Sequence, residues 1–407
     1  MGNRELIERA ERCVAKTYNR FPIALVRGEG GRVWDADGKA YWDFVCGLAV
    51  NNLGHCHPAV VAALREQAGR LLHVSNLYHI EPQVELAELL CRHTFAQKVF
   101  FCNSGTEANE AAIKLARKYS YARYGEGRHE ILTMENGFHG RTMGSLAATA
   151  QTKFHKGFAP LLPGFRYVPF GDLKAAGAAV NERTCAILVE PLQGEGGVNV
   201  PSPDYLPGLR ALCDGRDLLL LFDEVQSGMG RTGKLFAYEH FGVAPDAMAL
   251  AKGLAGGTAI GALCMSEKAM AFAPGDHAAT FGGNPLATAA GVAALRATLE
   301  AGLLEGAAEM GRYFIGRLRE LQAKHPPIRE VRGLGLLLGC ELDRPGGAVV
   351  STLMERGFLI NCTMDTVLRF LPPLAVGREE VDALLAALDE VLGDLPVGDL
   401  PVRNLPA

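Results

Sequence analysis

A chain of 407 residues, 48% hydrophobic and 21% charged, has the composition of a globular protein with room for more than one hydrophobic core. A formal net charge of −4 gives no electrostatic case for nucleic acid or an acidic membrane surface. No run of 18 apolar residues predicts a transmembrane helix. The N-terminal segment MGNRELIERAERC is charged and helix-like and lacks the apolar stretch of a secretion signal. It starts Met-Gly, but Leu6 stands where a myristoylation signal requires Ser or Thr. The ten cysteines are scattered without paired spacing, most in apolar context such as Cys102 and Cys185, and are expected as free thiols in a reducing cytoplasm. His55-Cys56-His57 resembles a ligand cluster, but successive side chains of an extended segment point opposite ways, so a turn before Pro58 is expected and no metal.

From residue 56 onward helices and strands alternate. Pro58 opens a helix with Val60, Leu64 and Leu71 on one face. A second helix carries Val84, Ala87, Leu90 and Cys91, and KVFFC (98–102) is a buried strand. Short apolar strands follow at 131–134, 186–190, 218–222 and 247–250, with helices at 107–119, 172–182 and 203–213. Continuous apolar strands separated by helices predict an α/β fold with a mostly parallel sheet covered on both faces. After residue 285 the pattern changes: long helices at 285–301 and 303–324, then IREVRGLGLLLGCEL, FLINC, VLRFLP and a last helix near 378–393. This predicts a large domain over 56–284 and a smaller α+β domain made of 1–55 with 285–407, ending in an irregular tail (394–407).

Several segments carry chemistry. NSGTEANE (103–110) follows a strand and opens an Ala-rich helix, with Ser104 and Glu107 spaced as a capping box. Gly105 permits close backbone approach, and the hydroxyls of Ser104 and Thr106 flank free N–H groups, which together suit a phosphate at a helix N-terminus. A competing nucleotide loop at GMGRTGKL (228–235) fails because Leu235 occupies the position of the Mg²⁺-ligating hydroxyl and no strand of its own leads into it. GLGLLLG (333–339) lies inside an apolar run that opens no helix, so it is no dinucleotide loop. Asp223 ends the apolar run LLLLF, where open α/β sheets bind ligands, and could keep a pyridine nitrogen protonated. Lys252, set among Ala and Gly in AMALAKGLAGG, could hold an aldehyde cofactor as a Schiff base and move protons as a free amine. Arg141 could fork onto a carboxylate, and Phe138 could stack on an aromatic ring.

Together with GHCHP (54–58), VEPLQGEGGV (189–198), TFGGNP (280–285) and VRGLGLLLG, these motifs resemble the class III pyridoxal-phosphate aminotransferases over nearly the whole chain, from Tyr18 to the last helix. Within that class the chain looks most like the acetylornithine aminotransferases. The resemblance implies the fold type I architecture of pyridoxal-phosphate transferases and a homodimer with active sites at the subunit interface. It further implies that Gly105 and Thr106 bind the phosphate, aided by Thr280 from the partner subunit. Phe138 and Val225 would sandwich the ring, Asp223 hold its nitrogen and Gln226 its phenolic oxygen, with Lys252 as the Schiff-base lysine. Arg141 would bind the α-carboxylate. Glu195 and Arg369 would form a pair that opens to admit 2-oxoglutarate. Tyr18 would lie near substrate, and Gly47, where ornithine δ-aminotransferases have tyrosine, would leave room for an acylated nitrogen. Succinylornithine, ornithine, N-succinyl-diaminopimelate and 4-aminobutyrate stay open as donors. Three departures bear on fine detail: Thr258-Ala259 replaces a bulky residue with proline, Ala279 a serine and Phe281 a tyrosine.

Overall fold

The computed structural model describes residues 1–300 and 302–394; most of the tail expected to be irregular lies outside them. Its centre is a seven-stranded sheet. Edge to edge it runs Lys98–Cys102, Gly261–Met265, Ala247–Leu250, Leu219–Asp223, Thr184–Val189, Glu130–Met134 and Phe165–Val168. The last five are mutually parallel, and Gly261–Met265 is antiparallel to both of its neighbours. Successive residues of one strand feed opposite cores. Leu220 and Phe222 pack on one face with Ile187, Val189 and Met248, and Leu219 and Leu221 on the other with Ala186, Leu188 and the helix Gly105–Tyr124. Burial on both faces is why these strands read as unbroken apolar runs.

Two strands of this sheet are not anticipated by the apolar pattern. Phe165–Val168 is an edge strand whose Arg166 and Tyr167 are exposed, so it shows no continuous apolar run. Gly261–Met265 follows directly on a glycine-rich loop and is short and fully buried. The helix Pro58–Ala68 buries Val60, but it ends before Leu71, which is 44% exposed. In Glu81–His93 the buried pair is Leu86 and Leu90, while Val84 faces outward. The core-facing stripe there is the i, i+4 pair that starts two residues after Val84, on the opposite side of the helix.

A second core gathers Phe314 and Leu318 of helix Leu303–Lys324, Val349, Val350 and Leu353 of Gly347–Glu355, and Leu384, Leu385 and Leu388 of Arg378–Gly393. These pack on an antiparallel sheet in the order Ile328–Leu334, Leu337–Leu342, Val367–Phe370, Asn361–Thr363. Phe44, near the N-terminus, belongs to the same core. A separate small sheet runs Leu25–Glu29, Arg32–Asp35, Ala40–Asp43 and Phe358–Leu359. The helix Pro285–Thr298 buries Ala287, Ala290, Ala294 and Leu295 in the large core instead of the small one. His55 pairs with Asp43 at 2.7 Å, and among the described residues no group of three His, Cys, Asp or Glu could hold a metal.

Candidate active site

Asp223 closes the strand Leu219–Asp223 at the carboxyl end of the parallel sheet, where loops diverge and leave a cavity of about 420 Å³. Its carboxylate is 4% exposed and almost fully subscribed on one oxygen. Oδ2 accepts from Asn109 Nδ2 at 2.7 Å and from His139 Nδ1 at 2.8 Å, and Oδ1 accepts from the Val225 N–H at 3.0 Å. Because an ionised carboxylate only accepts, His139 carries its proton on Nδ1. His139 Nε2 and Asn109 Oδ1 are buried without a partner. Glu190 lies close by, accepting from the N–H groups of Phe138 at 3.0 Å and Gly194 at 3.3 Å. Burial pushes its carboxyl up to about 7 against the pull of His139, with Asp223 adding to the rise.

Lys252 begins a 3-10 turn directly after the strand Ala247–Leu250 and Ala251, with φ +42°, a left-handed conformation that aims the side chain into the cavity instead of along a helix. Its Nζ makes no hydrogen bond or ion pair with the described residues. Burial lowers the amine below its ordinary value, and Arg369 lowers it further, while Glu195, Asp223 and Glu190 pull the other way. A lysine whose amine is held below its ordinary pKa is a readier nucleophile toward an aldehyde carbon.

The anion site forms as the capping chemistry requires. Ser104 caps the helix Gly105–Tyr124, its Oγ accepting from the Glu107 N–H at 3.3 Å, and Glu107 accepts from the Asn103 N–H at 2.6 Å. The N–H groups of Gly105 and Thr106 are the first two of the helix and point out of its end. A side chain at Gly105 would put its Cβ 2.7 Å from Val225, so glycine is what lets the helix end and the Val225 loop approach across the cavity floor. The Thr106 hydroxyl is already engaged: it lies 2.8 Å from Thr142 Oγ1 and accepts from the N–H groups of Arg141 and Thr142, each at 3.2 Å. Phe138 packs edge-on against Phe154 at 5.9 Å, and the Arg141 guanidinium lies 3.8 Å over the Phe154 ring.

Arg369, on the strand Val367–Phe370, is 0% exposed and sits behind Glu195 as seen from the cavity. Its Nη1 lies 2.9 Å from Glu195 Oε2 and donates to Gln226 Oε1 at 3.1 Å, and its Nε donates to Asn361 Oδ1 at 3.2 Å. Nη2 is buried with no partner. Burial alone would raise Glu195, but Arg369 first and then Lys252 hold it below its ordinary value. The cavity thus collects Ser104, Gly105, Thr106, Phe138, Arg141, Glu195, Asp223, Val225, Gln226 and Lys252, with Arg369 one contact deeper. Tyr18, Gly47 and Thr280 do not line it: Tyr18 is 66% exposed, Thr280 is exposed, and Gly47 sits at φ +63° in a kinked turn. Asn109, His139 and Glu190 line it too and were not singled out in the sequence, because each lies inside a helix or a loop as an ordinary polar residue.

These residues fit a flat, phosphorylated pyridine. A helix end with two free N–H groups faces an unpartnered amine, a buried carboxylate and an apolar slot between Phe138 and Val225. The comparisons agree with that geometry. The chain is 54% identical over 391 residues to the acetylornithine aminotransferase of Caldanaerobacter subterraneus subsp. tengcongensis, covering 96% of this chain and 100% of that one. It is 50% identical over 396 residues to the acetylornithine aminotransferase of Methanocaldococcus jannaschii, covering 97% and 100%. The fold superposes with a TM-score of 0.92, at 35% identity, on an ornithine aminotransferase from Toxoplasma gondii, covering 96% of this chain and 94% of that one; that structure has partial occupancy of pyridoxal phosphate at its active site. The family model of the class-III aminotransferases matches residues 13–392, and the chain belongs to that family.

Proposed function

We propose that this enzyme moves the δ-amino group of N²-acetylornithine to 2-oxoglutarate, giving N-acetylglutamate 5-semialdehyde and glutamate, as in arginine biosynthesis. The observation that carries the reading is the pairing of a fully buried Arg369 with a Glu195 that faces the cavity beside Lys252. With the pair closed, the inner wall is neutral and suits a donor whose reacting arm ends in an amine. Turned aside, Glu195 uncovers a guanidinium that already has an unmatched Nη2 donor and can take a carboxylate of a 2-oxo diacid. Likeness to acetylornithine enzymes at 54% and 50% identity supports the donor.

Pyridoxal phosphate, when bound, supplies an aldehyde carbon and a protonated ring that draws electrons from the carbon losing its proton. Lys252 is the amine that would hold that aldehyde and, as a free amine, would move the proton at the substrate carbon. Asp223, braced by His139 and Asn109, would keep the ring nitrogen protonated. The helix end at Gly105 and Thr106, with Ser104 as its cap, would take the phosphate, Phe138 and Val225 would hold the ring faces, and Gln226 the phenolic oxygen. Arg141 would take the donor's α-carboxylate.

We place the active site at the interface of a homodimer in the cytoplasm. Thr280 lies outside its own chain's cavity, on a loop tied to the segment 71–78 by Asn76, which donates to the carbonyls of Ala279 and Gly282. That segment exposes Leu72, Leu77 and Tyr78, and the Phe281 ring lies tilted 5.1 Å from that of His73 with 61% of its surface open. An apolar face of this kind calls for a partner, and a second copy would bring Thr280 to the phosphate. Ten free cysteines suit a reducing compartment. We read two domains, 56–284 and 1–55 with 285–407, with the helix Pro285–Thr298 laid on the large core as the link. The activity is tested by incubating holoenzyme with N²-acetylornithine and 2-oxoglutarate and measuring glutamate and semialdehyde in equal amounts. Glutamate without semialdehyde would sink the assignment.

A further inference from the structure

Arg141 lines the cavity with a full charge, yet no acid holds it in place. Among the described residues its guanidinium makes no hydrogen bond or ion pair, and only its backbone N–H is engaged, by the Thr106 hydroxyl. What steadies the guanidinium is an aromatic ring. Its central carbon stands 3.8 Å from the ring centroid of Phe154 and 5.5 Å from that of Phe138. A ring face attracts a cation without using its N–H groups, so the whole fork stays free for a ligand carboxylate. An aspartate or glutamate partner would occupy the same donors that a substrate needs.

Phe154 is itself fixed from both sides. It is half-buried, in the short helix Thr152–His155. Just before that helix, Gln151 Nε2 donates to the carbonyls of Asn136 at 3.0 Å and Gly137 at 3.3 Å, the two residues ahead of Phe138. At its end, His155 Nε2 lies 2.7 Å from the Thr149 carbonyl and 3.1 Å from that of Leu146. With two carbonyls as acceptors, this nitrogen carries the proton. Leu146 lies in the helix Met143–Ala148, which opens two residues after Arg141. The Phe154 ring then meets Phe138 edge-on at 5.9 Å, with the planes at 82°. One ring therefore touches both the aromatic wall of the cavity and the cation that lines it. Lys153 Nζ stands 4.9 Å from the same centroid, also with no acid partner among the described residues, so nothing nearby neutralises Arg141.

We propose that Phe154 is a positioning residue for the amino donor: it holds Arg141 at a set distance from the Phe138 wall, and so fits the site to a donor whose carboxylate and reacting amine are that far apart. The inference rests on the assignment of Arg141 to the donor's α-carboxylate. Its consequence is selective. Loosening Arg141 weakens the reaction of a donor that carries the carboxylate and leaves unchanged the reaction of one that lacks it.

The test uses the donor half-reaction alone, with N²-acetylornithine and with its carboxamide, which keeps the reacting arm and removes the charge. Holoenzymes carry Phe154→Leu, Phe154→Tyr, or a trifluorinated phenylalanine at residue 154, whose fluorines draw electrons from the ring face and keep its shape. We expect kcat/KM for N²-acetylornithine to fall about fivefold in Phe154→Leu and in the fluorinated protein, with Phe154→Tyr within about twofold of the parent. The value for the carboxamide should stay within about twofold of the parent in all three. Equal losses with acid and carboxamide, or no loss with the acid, would overturn the proposal. If Phe154→Leu gives no folded holoenzyme, the fluorinated protein decides alone by the same criterion. Arg141→Gln, run alongside, separates the two claims: if it fails to discriminate acid from carboxamide, the functional assignment of Arg141 is wrong, whereas if it discriminates and Phe154→Leu does not, only the positioning role falls.

Discussion

His139 Nδ1 lies 2.8 Å from Asp223 Oδ2, with both side chains almost wholly buried, and the same oxygen takes a second hydrogen bond from Asn109. Two donors on the inner oxygen fix the plane of the carboxylate and leave Oδ1, held only by the Val225 N–H, to face the cavity. An aspartate held in this way can keep a ring nitrogen protonated. Asp223→Asn offers that nitrogen no negative charge, and kcat should fall by about 10²-fold or more while cofactor is still taken up. Single-turnover rates with saturating donor, read beside the bound-cofactor content, check this. A variant with near-normal turnover would show that the ring nitrogen's charge is immaterial.

Lys252→Ala removes the only lysine among the described residues that line the cavity, without changing the helix end or Asp223. The variant should bind pyridoxal phosphate reversibly and lose it on dialysis. Borohydride treatment followed by peptide mass spectrometry should label Lys252 in the parent and no lysine in the variant. Labelling of another lysine in the parent would contradict the assignment.

The charge set around Lys252 makes a signed prediction for capture of the cofactor by the apoenzyme. Only the neutral amine attacks an aldehyde, and Arg369 lowers the amine's pKa while Glu195 raises it. Arg369→Ala should therefore raise the pKa, reduce the neutral fraction at pH 8 and slow covalent capture. Glu195→Gln should lower the pKa and speed capture. Stopped-flow uptake across pH gives both midpoints, and a shift of the two variants in the same direction would rule out the charge argument.

Phe281→Glu places a charge on the face formed with Leu77 and Tyr78. Sedimentation at micromolar protein should show a dimer for the parent and monomers for the variant, with weakened phosphate-dependent cofactor affinity, as the proposed reach of Thr280 into a second copy requires. A stable dimer with unchanged affinity would put the interface elsewhere.

Gly335 has φ +55°, and a Cβ there would stand 2.2 Å from the Thr232 carbonyl carbon. Gly335→Ala should cost about 2–4 kcal/mol in denaturant unfolding, since both the backbone conformation and the contact are backbone-limited. A loss under 0.5 kcal/mol would mean that the 231–232 and 335–336 segments separate freely.

Much of this was legible in the sequence because the relevant signals are local. The apolar run 218–222 ends in Asp223 because the strand is buried on both faces until it meets the cavity, and Ser104 and Glu107 announce a helix start by their spacing alone. His139, Asn109 and Glu190 were not legible. Each acts through a contact over 30 residues or more in sequence, such as Asn109 to Asp223, and neither spacing nor composition marks such a pair. Leu71 was misread for the opposite reason: it continues the helical period of Val60 and Leu64, but the helix stops at Ala68, and Leu71 is left exposed beyond it. Thr106 was read as a phosphate-binding residue, and the N–H donors that Arg141 and Thr142 bring to its hydroxyl are not visible in the sequence.

The most direct test follows the absorbance of the holoenzyme while N²-acetylornithine, ornithine and 4-aminobutyrate are added separately, with no oxo-acid present. The account predicts that N²-acetylornithine bleaches the yellow band fastest by far and that 2-oxoglutarate restores it. Faster bleaching by ornithine or 4-aminobutyrate would contradict the assigned donor, and failure of 2-oxoglutarate to restore the band would contradict the role given to Arg369 and Glu195.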